Sequence, residues 1–504
     1  MALQRLGQRL AGARASLVGA VLVVVLSVLS AVASAKLATA VVAVLLVFIV
    51  FLIGFVVVPH RAIAAMILLF AFIPMLKDFV NPSVGGLKDV VDFAAVFAAA
   101  IHVAGARRRM DRWTASLVGI LLVLYLVDLG RPHGADWVEG MRLTGEPLLL
   151  LLVGFLLPDP RRNLRWALGA LVVAGFLNAL YGIVQQVLGP AELVSLGYSY
   201  GVQVRTIGSS LRSFGTIDDP FAYAALLYFS LVATYFLLRR GWWLWFVEFV
   251  LVLGLLASTV RTALLVLLGF VALGAVHKEL KFPAACLGIA CAVIGVITLA
   301  QSSGIQTQTF NVYYTHGGYT AESRPVADPS GVVLNGRVSA WTAAVGSRPI
   351  DWFFGRGVGQ VGTATQRASA GVLSATSDTT SGDSAQTPTA SAVDDGYLAT
   401  VADVGIVGLL VELALFARLI YLGAEALGRG KFDGWLPLGL LTAMLLDALT
   451  RASFTGFPTA FIGFLVIGIA TASLNDGAVD LESQTYRPGR ESPMPTLGLS
   501  SSSR

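Results

Sequence analysis

The sequence predicts an all-α polytopic membrane protein of about 14 transmembrane helices (12–14), with one large extracytoplasmic loop. Three observations predict it. The 504 residues are 56% hydrophobic and only 13% charged, with a mean hydropathy of +0.77, too apolar for a water-soluble globule. Apolar runs of about 20 residues, the length that crosses a bilayer as a helix, recur along the chain. The loops between them alternate between arginine-rich and nearly arginine-free, as the positive-inside rule requires of successive membrane sides.

The elements follow in order. Arg5, Arg9 and Arg14 precede a long apolar stretch that runs into a second one, the pattern of a retained signal-anchor rather than a cleaved signal peptide. The spans lie at about 15–34, 37–58, 62–80, 88–105, 114–130, 147–157, 166–188, 220–238, 244–258, 262–276, 282–301, 396–417, 436–453 and 456–473. The sixth is short, stopping at Pro158. With a cytoplasmic N-terminus, the cytoplasmic loops contain Arg61; Arg107, Arg108, Arg109 and Arg112; Arg161, Arg162 and Arg165; Arg239 and Arg240; Lys278 and Lys281; and Arg418, Arg429 and Lys431. The short opposite loops carry only Lys36, Lys88, Arg131, Arg142 and Arg261. The chain therefore divides into a helical part at 1–301 with an extracytoplasmic loop at 189–219, a large extracytoplasmic loop at 302–395, helices at 396–473 and a disordered cytoplasmic tail at 474–504.

The net charge of +5 and the pI near 9.2 fit basic cytoplasmic loops facing anionic lipid, and no nucleic-acid partner is expected. Cys286 and Cys291 share one apolar run five positions apart, on different sides of a helix, so neither a disulfide nor a metal site is expected. The segment FGRGVGQVG (354–362) has the spacing of a nucleotide-binding glycine loop without the surrounding strand and helix, and reads as a tight turn. Glu248 and Glu412 stand as isolated carboxyls within spans.

The outer surface carries the informative residues. Arg261, in ASTVRTALLVL, sits between two spans on the side where the charge bias disfavours arginine. It is either an interfacial anchor or a cation held for an anionic head group, for which the planar guanidinium fork is suited. The loop at 189–219 brings Arg205 and Arg212 and ends in SFGTIDDPFAYA, with Asp218 and Asp219 ahead of a span. In the large loop, Val338, Trp341 and Val345 have the spacing of an amphipathic helix lying on the bilayer, with Arg337 on its flank. Residues 362–393 are rich in Ser, Thr, Ala and Gly and are expected to be mobile. They lead to Asp394 and Asp395, which open a span either as helix caps or with one of them as a proton acceptor. Asp447 and Arg451, four apart, are placed to pair.

ASTVRTALLVL, GRVSAW with RPIDWFFGRGVGQVG, and DDGYLATVADVGIVGLL resemble, in order and spacing, three motifs of the O-antigen ligase and polymerase superfamily: "SR-x-A", "GR-x-x-x-W … P-x-x-G-x-G" and "HN-x-Y-L … E-x-G-x-x-G". The resemblance covers about residues 200–425. It implies a GT-C-like integral-membrane glycosyltransferase of the bacterial cytoplasmic membrane that works on the outer face. Such an enzyme passes a glycan from a polyprenyl diphosphate to a hydroxyl of an acceptor glycan or glycolipid, with inversion and without a metal or other cofactor. It further implies that Arg261 and Arg337 contact the diphosphate; apart from the resemblance, Arg205, Arg212, Trp341, Asp395 and Arg451 are the further candidate substrate contacts. Asp394 takes the place of the family's histidine, and its carboxylate can also accept the proton of an attacking hydroxyl. The alternative is a flippase or transporter of lipid-linked sugars, for which repeated halves and ionisable groups near the midplane would be expected.

Overall fold

The structure, a computed structural model, describes residues 39–105, 110–127, 135–198, 203–207, 210–238, 242–260, 262–276, 308–315, 318–325, 349–359, 395–449 and 451–485. Most of these residues are helical. The helices are α1 (Thr39–Val57), α2 (Pro59–Phe79), α3 (Leu87–Gly105), α4 (Arg112–Val127), α5 (Ala135–Leu156), α6 (Pro160–Ser195), α7 (Pro220–Leu238), α8 (Trp242–Ala257), α9 (Thr262–Val276), α10 (Pro349–Phe354), α11 (Gly396–Gly428), α12 (Trp435–Asp447) and α13 (Thr459–Thr485). By length and composition α2, α6, α7 and α11 can each cross a membrane. α4, α8 and parts of α1 and α13 are shorter apolar helices.

Two antiparallel hairpins qualify the all-α expectation: β1 (Arg205–Ile207) with β2 (Ser210–Arg212), and β3 (Gln308–Thr315) with β4 (Gly318–Pro325). Both fall in the loops expected outside the bilayer, where backbone groups find partners without a helix.

Several helices depart from the spans read in the sequence, α5, α12 and α13 among them. α5 starts at Ala135 rather than 147 and takes in Arg142 and Glu146. Hydropathy stops short of these charges, but Arg142 pairs with Asp89 and Glu146 with Lys88, both of α3. α13 continues to Thr485, past the point where a disordered tail was expected. α12 ends at Asp447, so that residues 448–449 and 451–458, between the last two helices, are non-helical.

α7 is the central element, with nearly every residue from Pro220 to Thr234 buried among α6, α8 and α12. Its polar residues act between helices: Ser230 Oγ donates to Leu171 O of α6 at 2.8 Å, and the Tyr223 hydroxyl donates to Gly254 O of α8 at 3.1 Å. Such bonds hold helices together where lipid removes the hydrophobic drive for association.

At one end of the bundle Arg418 of α11 grips Asp111, just ahead of α4, through Nε (2.9 Å) and Nη2 (3.0 Å). Asp395, one of the residues assigned to substrate, stands at the start of α11. Arg418 is some two dozen residues further on, in the second half of α11.

Candidate functional site

The loop before α7 is not a surface loop. Residues 213–217 are all buried, and their backbone groups are met by side chains of α6 that are themselves fully buried. Gln185 Oε1 accepts from Phe214 N and Gly215 N, both at 3.0 Å, while its Nε2 donates to Gly215 O at 2.9 Å. Asn178 Oδ1 accepts from Thr216 N at 2.8 Å, and the Thr216 hydroxyl donates to Ala71 O of α2 at 2.7 Å. A buried non-helical backbone is tolerable only when its polar groups are paired in this way. The pairing fixes the position of the next residues, Asp218 and Asp219.

Asp219 caps α7, accepting from Ala222 N at 3.0 Å, and is also the meeting point of two arginines. Arg205 Nη1 lies 3.4 Å from Asp219 Oδ1, and Arg451 Nε lies 3.9 Å from Asp219 Oδ2. Arg212 is the cross-strand partner of Arg205, and its guanidinium stacks over the Phe221 ring at 4.7 Å, a favourable cation–π distance. Three of the arginines read from the sequence as substrate contacts are thus gathered around the first turn of α7.

Arg451 is held from three sides in the turn after α12. Its Nη1 is 3.6 Å from Asp447 Oδ2, and its Nη2 donates to Thr459 Oγ1 at 3.0 Å. Asp447 is almost fully buried and also accepts from the Ser453 hydroxyl. The i, i+4 pairing expected of Asp447 and Arg451 is present, and the ties to Asp219 and Thr459 are additions that sequence spacing could not supply.

The same turn docks the start of α11. Gly396 N donates to Ala448 O at 2.8 Å, and the Tyr397 hydroxyl donates to Leu445 O at 2.8 Å. Asp395, expected to touch substrate, is the N-cap of α11, its Oδ1 accepting from Tyr397 N (2.9 Å) and Leu398 N (3.2 Å). A carboxylate between two amide donors is the capping arrangement. Asp394, Arg261, Arg337 and Trp341 lie outside the described residues, as do the interfacial helix expected around Trp341, the mobile segment 362–393, Cys286 and Cys291.

The end of α8 is held against the buried loop. Ala257 O accepts from Ser213 N at 3.0 Å and from Gln186 Nε2 at 2.8 Å, tying the end of α8 to the buried loop that leads to Asp219. Between α8 and α9, Thr259 has φ +51°, a left-handed conformation that a β-branched residue rarely adopts. Strain of this kind gathers where a turn must aim a neighbouring side chain.

α11 is broken at Gly405, with φ +72° and ψ −177°. The freed carbonyls accept from the glycine-rich segment: Ala402 O from Arg356 N at 2.7 Å, and Asp403 O from Gly357 N at 3.1 Å. A Cβ at Gly405 would lie 2.1 Å from Phe353 O, and one at Gly355 would lie 2.3 Å from Asp403 O, so the two glycines allow backbone to pack on backbone. Gly355, Gly357 and Gly359 all have positive φ, the geometry of a tight turn. Beyond the break, Glu412 is not isolated as its sequence position implied: the Thr400 hydroxyl donates to its Oε2 at 2.8 Å.

Among the described residues no group of three or more His, Cys, Asp and Glu is arranged to hold a metal ion. No known family model and no curated protein matches the chain.

Proposed function

We propose that the chain is an inverting glycosyltransferase of about 14 spans and GT-C-like architecture, built into the bacterial cytoplasmic membrane with its active site on the extracytoplasmic side. It moves a glycan from a polyprenyl diphosphate to an acceptor hydroxyl as a polysaccharide polymerase or ligase. The observation that carries this reading is the convergence of Arg205, Arg212 and Arg451 on the first turn of α7, beside the capped start of α11. Departure of a diphosphate builds negative charge at the leaving oxygen, and pre-placed guanidinium groups stabilise that charge. In the reaction the acceptor oxygen bonds to the anomeric carbon as the bond from that carbon to the diphosphate breaks. Asp394 takes the hydroxyl proton, and Arg261 and Arg337 share the diphosphate with the three gathered arginines. Asp395, occupied as a cap, is left out of the chemistry.

The test is transfer of a lipid-linked glycan by the purified protein in detergent. A covalent product that persists in EDTA supports the reading, and its loss in Arg261→Ala and Arg337→Ala at normal expression supports the roles. A protein that moves the lipid-linked sugar across vesicles without forming a product belongs instead to the transporter class.

A further inference from the structure

The short helix α10 turns its apolar side chains outward. Ile350, Trp352, Phe353 and Phe354 are each between 47% and 62% exposed, and contiguous apolar patches of this kind mark a surface that another molecule covers. The helix is not free to turn them inward. Gly355 N donates to Asp351 O at 2.9 Å, and Arg356 N and Gly357 N donate to the Ala402 and Asp403 carbonyls that α11 frees at its break. Val358 is fully buried, and a Cβ on Gly140 of α5 would lie 2.5 Å from Gly359 N, so the turn after α10 is wedged between α5 and α11.

What covers the patch follows from α11, which changes character at its break. From Gly396 to Gly405 none of its residues is exposed, whereas beyond the break an exposed stripe runs through Ile406, Leu410, Leu413, Ala417 and Tyr421, the i, i+4, i+7 spacing of a single helix face. The part from Ile406 to Gly428 is long enough for one crossing, which takes about 20 residues, and α11 is apolar enough to span a membrane. Its exposed apolar stripe is a lipid-facing side. Phe353 and Phe354 pack their backbone on Gly405, so the exposed side chains of α10 stand at the head of that stripe, where the crossing begins. Aromatic side chains at this level, followed by the exposed Arg356, have the composition of a segment lying at the lipid–water boundary. Rings sit there at the upper ends of the acyl chains, and a guanidinium reaches toward the phosphates.

We propose that α10 is a membrane-docking element: Ile350, Trp352, Phe353 and Phe354 insert into the leaflet beside the start of the α11 crossing, and Arg356 faces the phosphate groups of that leaflet. The occupant of the patch is bilayer lipid. Because α10 is locked onto Gly405, the docking sets the depth of the break, and with it the depth of the preceding segment, whose Gly396 N is tied to Ala448 O. The inference takes the chain as membrane-spanning and stands whether the protein transfers glycans or transports them.

The experiment uses the full-length protein, with Cys286 and Cys291 replaced by alanine, in nanodiscs of mixed neutral and anionic phospholipid. Nitroxide labels on Ile350→Cys and Phe353→Cys are compared with a label on Leu410→Cys, within the stripe. Relaxation by oxygen, which concentrates in lipid, is measured against relaxation by a water-soluble nickel chelate. The two α10 labels are expected to collide mainly with oxygen, at a shallower depth than Leu410→Cys. Labels that collide mainly with the chelate overturn the proposal, and labels shielded from both reagents overturn it in favour of protein cover, by another segment of this chain or by a second copy. A Leu410→Cys label reached by the chelate removes the lipid-facing stripe itself and overturns the inference with it. A second measurement needs no cysteine: Trp352→Phe is expected to lower the fraction of tryptophan emission that brominated phospholipid quenches, and a fraction that stays the same or rises overturns the proposal.

Discussion

Arg451 lies 3.9 Å from Asp219 Oδ2, so an ion pair joins the turn after α12 to the first turn of the largely buried α7. The Arg451 side chain is only 10% exposed and its second partner, Asp447, only 2%. Truncating one member of a buried ion pair costs about 3–5 kcal/mol, because the other charge is left without a partner. Arg451→Ala is therefore expected to lower stability by about that amount and to abolish transfer. The double variant Arg451→Met, Asp447→Leu separates structure from function, since a well-packed apolar pair restores stability to near wild type. If transfer returns together with the melting temperature, Arg451 is a strut and not a diphosphate contact.

The two neighbouring aspartates at the start of α11 are expected to behave differently. Asp395→Ala removes an N-cap with two amide donors and costs about 1 kcal/mol, while Asp395→Asn is close to silent because asparagine caps as well as aspartate. Asp394→Asn is expected to leave the melting curve in place and to remove most single-turnover transfer, since an amide cannot take the acceptor's proton. An Asp394→Asn enzyme that turns over normally moves the base elsewhere, to Asp218 or Asp219.

Thr259 offers a test in which stability and activity move in opposite directions. Its φ of +51° is a conformation glycine accepts without steric cost, and the penalty for an L-residue there is about 1 kcal/mol. Thr259→Gly is expected to hold or raise the melting temperature while loosening the corner next to Arg261, with transfer falling by roughly tenfold, the equivalent of about 1.4 kcal/mol in the barrier. Unchanged transfer by Thr259→Gly would sink the view that the strained corner aims Arg261.

The bundle was legible where one period decides the outcome: long apolar runs became α2, α6, α7 and α11. Length failed where charges pair inside the protein, as with Arg142 and Glu146 in α5, because hydropathy scores a lysine, an arginine and two carboxyls without seeing that they face one another. The loop at 213–217 was read only as the end of an extracytoplasmic loop, because nothing local announces Asn178 and Gln185, two polar residues within an apolar helix, as its partners. They were the available signal, since a fully buried amide must have a hydrogen-bond partner. The Asp447–Arg451 pair followed from i, i+4 spacing alone. Its extension to Asp219 and Thr459 is tertiary and has no sequence signature. Gly405 was visible as part of a glycine pattern, whereas the break it makes in α11 depends on Phe353 packing against it.

The last prediction concerns the other end of the bundle. The Asp111 carboxyl is held below the usual carboxylate range. Burial pushes it up, but hydrogen bonds from the Arg418 guanidinium and from the Thr114 backbone and hydroxyl outweigh that effect. A carboxyl lowered in the folded state binds its proton more readily in the unfolded chain, so it contributes stability above its unfolded value of about 4, and that contribution fades as pH falls through the lower folded value. The wild-type melting temperature should therefore drop across this acid window, and Asp111→Asn should be less stable than wild type at neutral pH, with the difference closing as pH falls below about 4. Arg418→Lys should recover only part of the difference, because a single ammonium cannot reproduce the two-pronged contact at 2.9 and 3.0 Å. The check is a set of melting curves at graded pH for the three proteins in one detergent. A gap between wild type and Asp111→Asn that stays constant down to the lowest pH would assign the effect to lost packing or capping of α4 rather than to the charged pair.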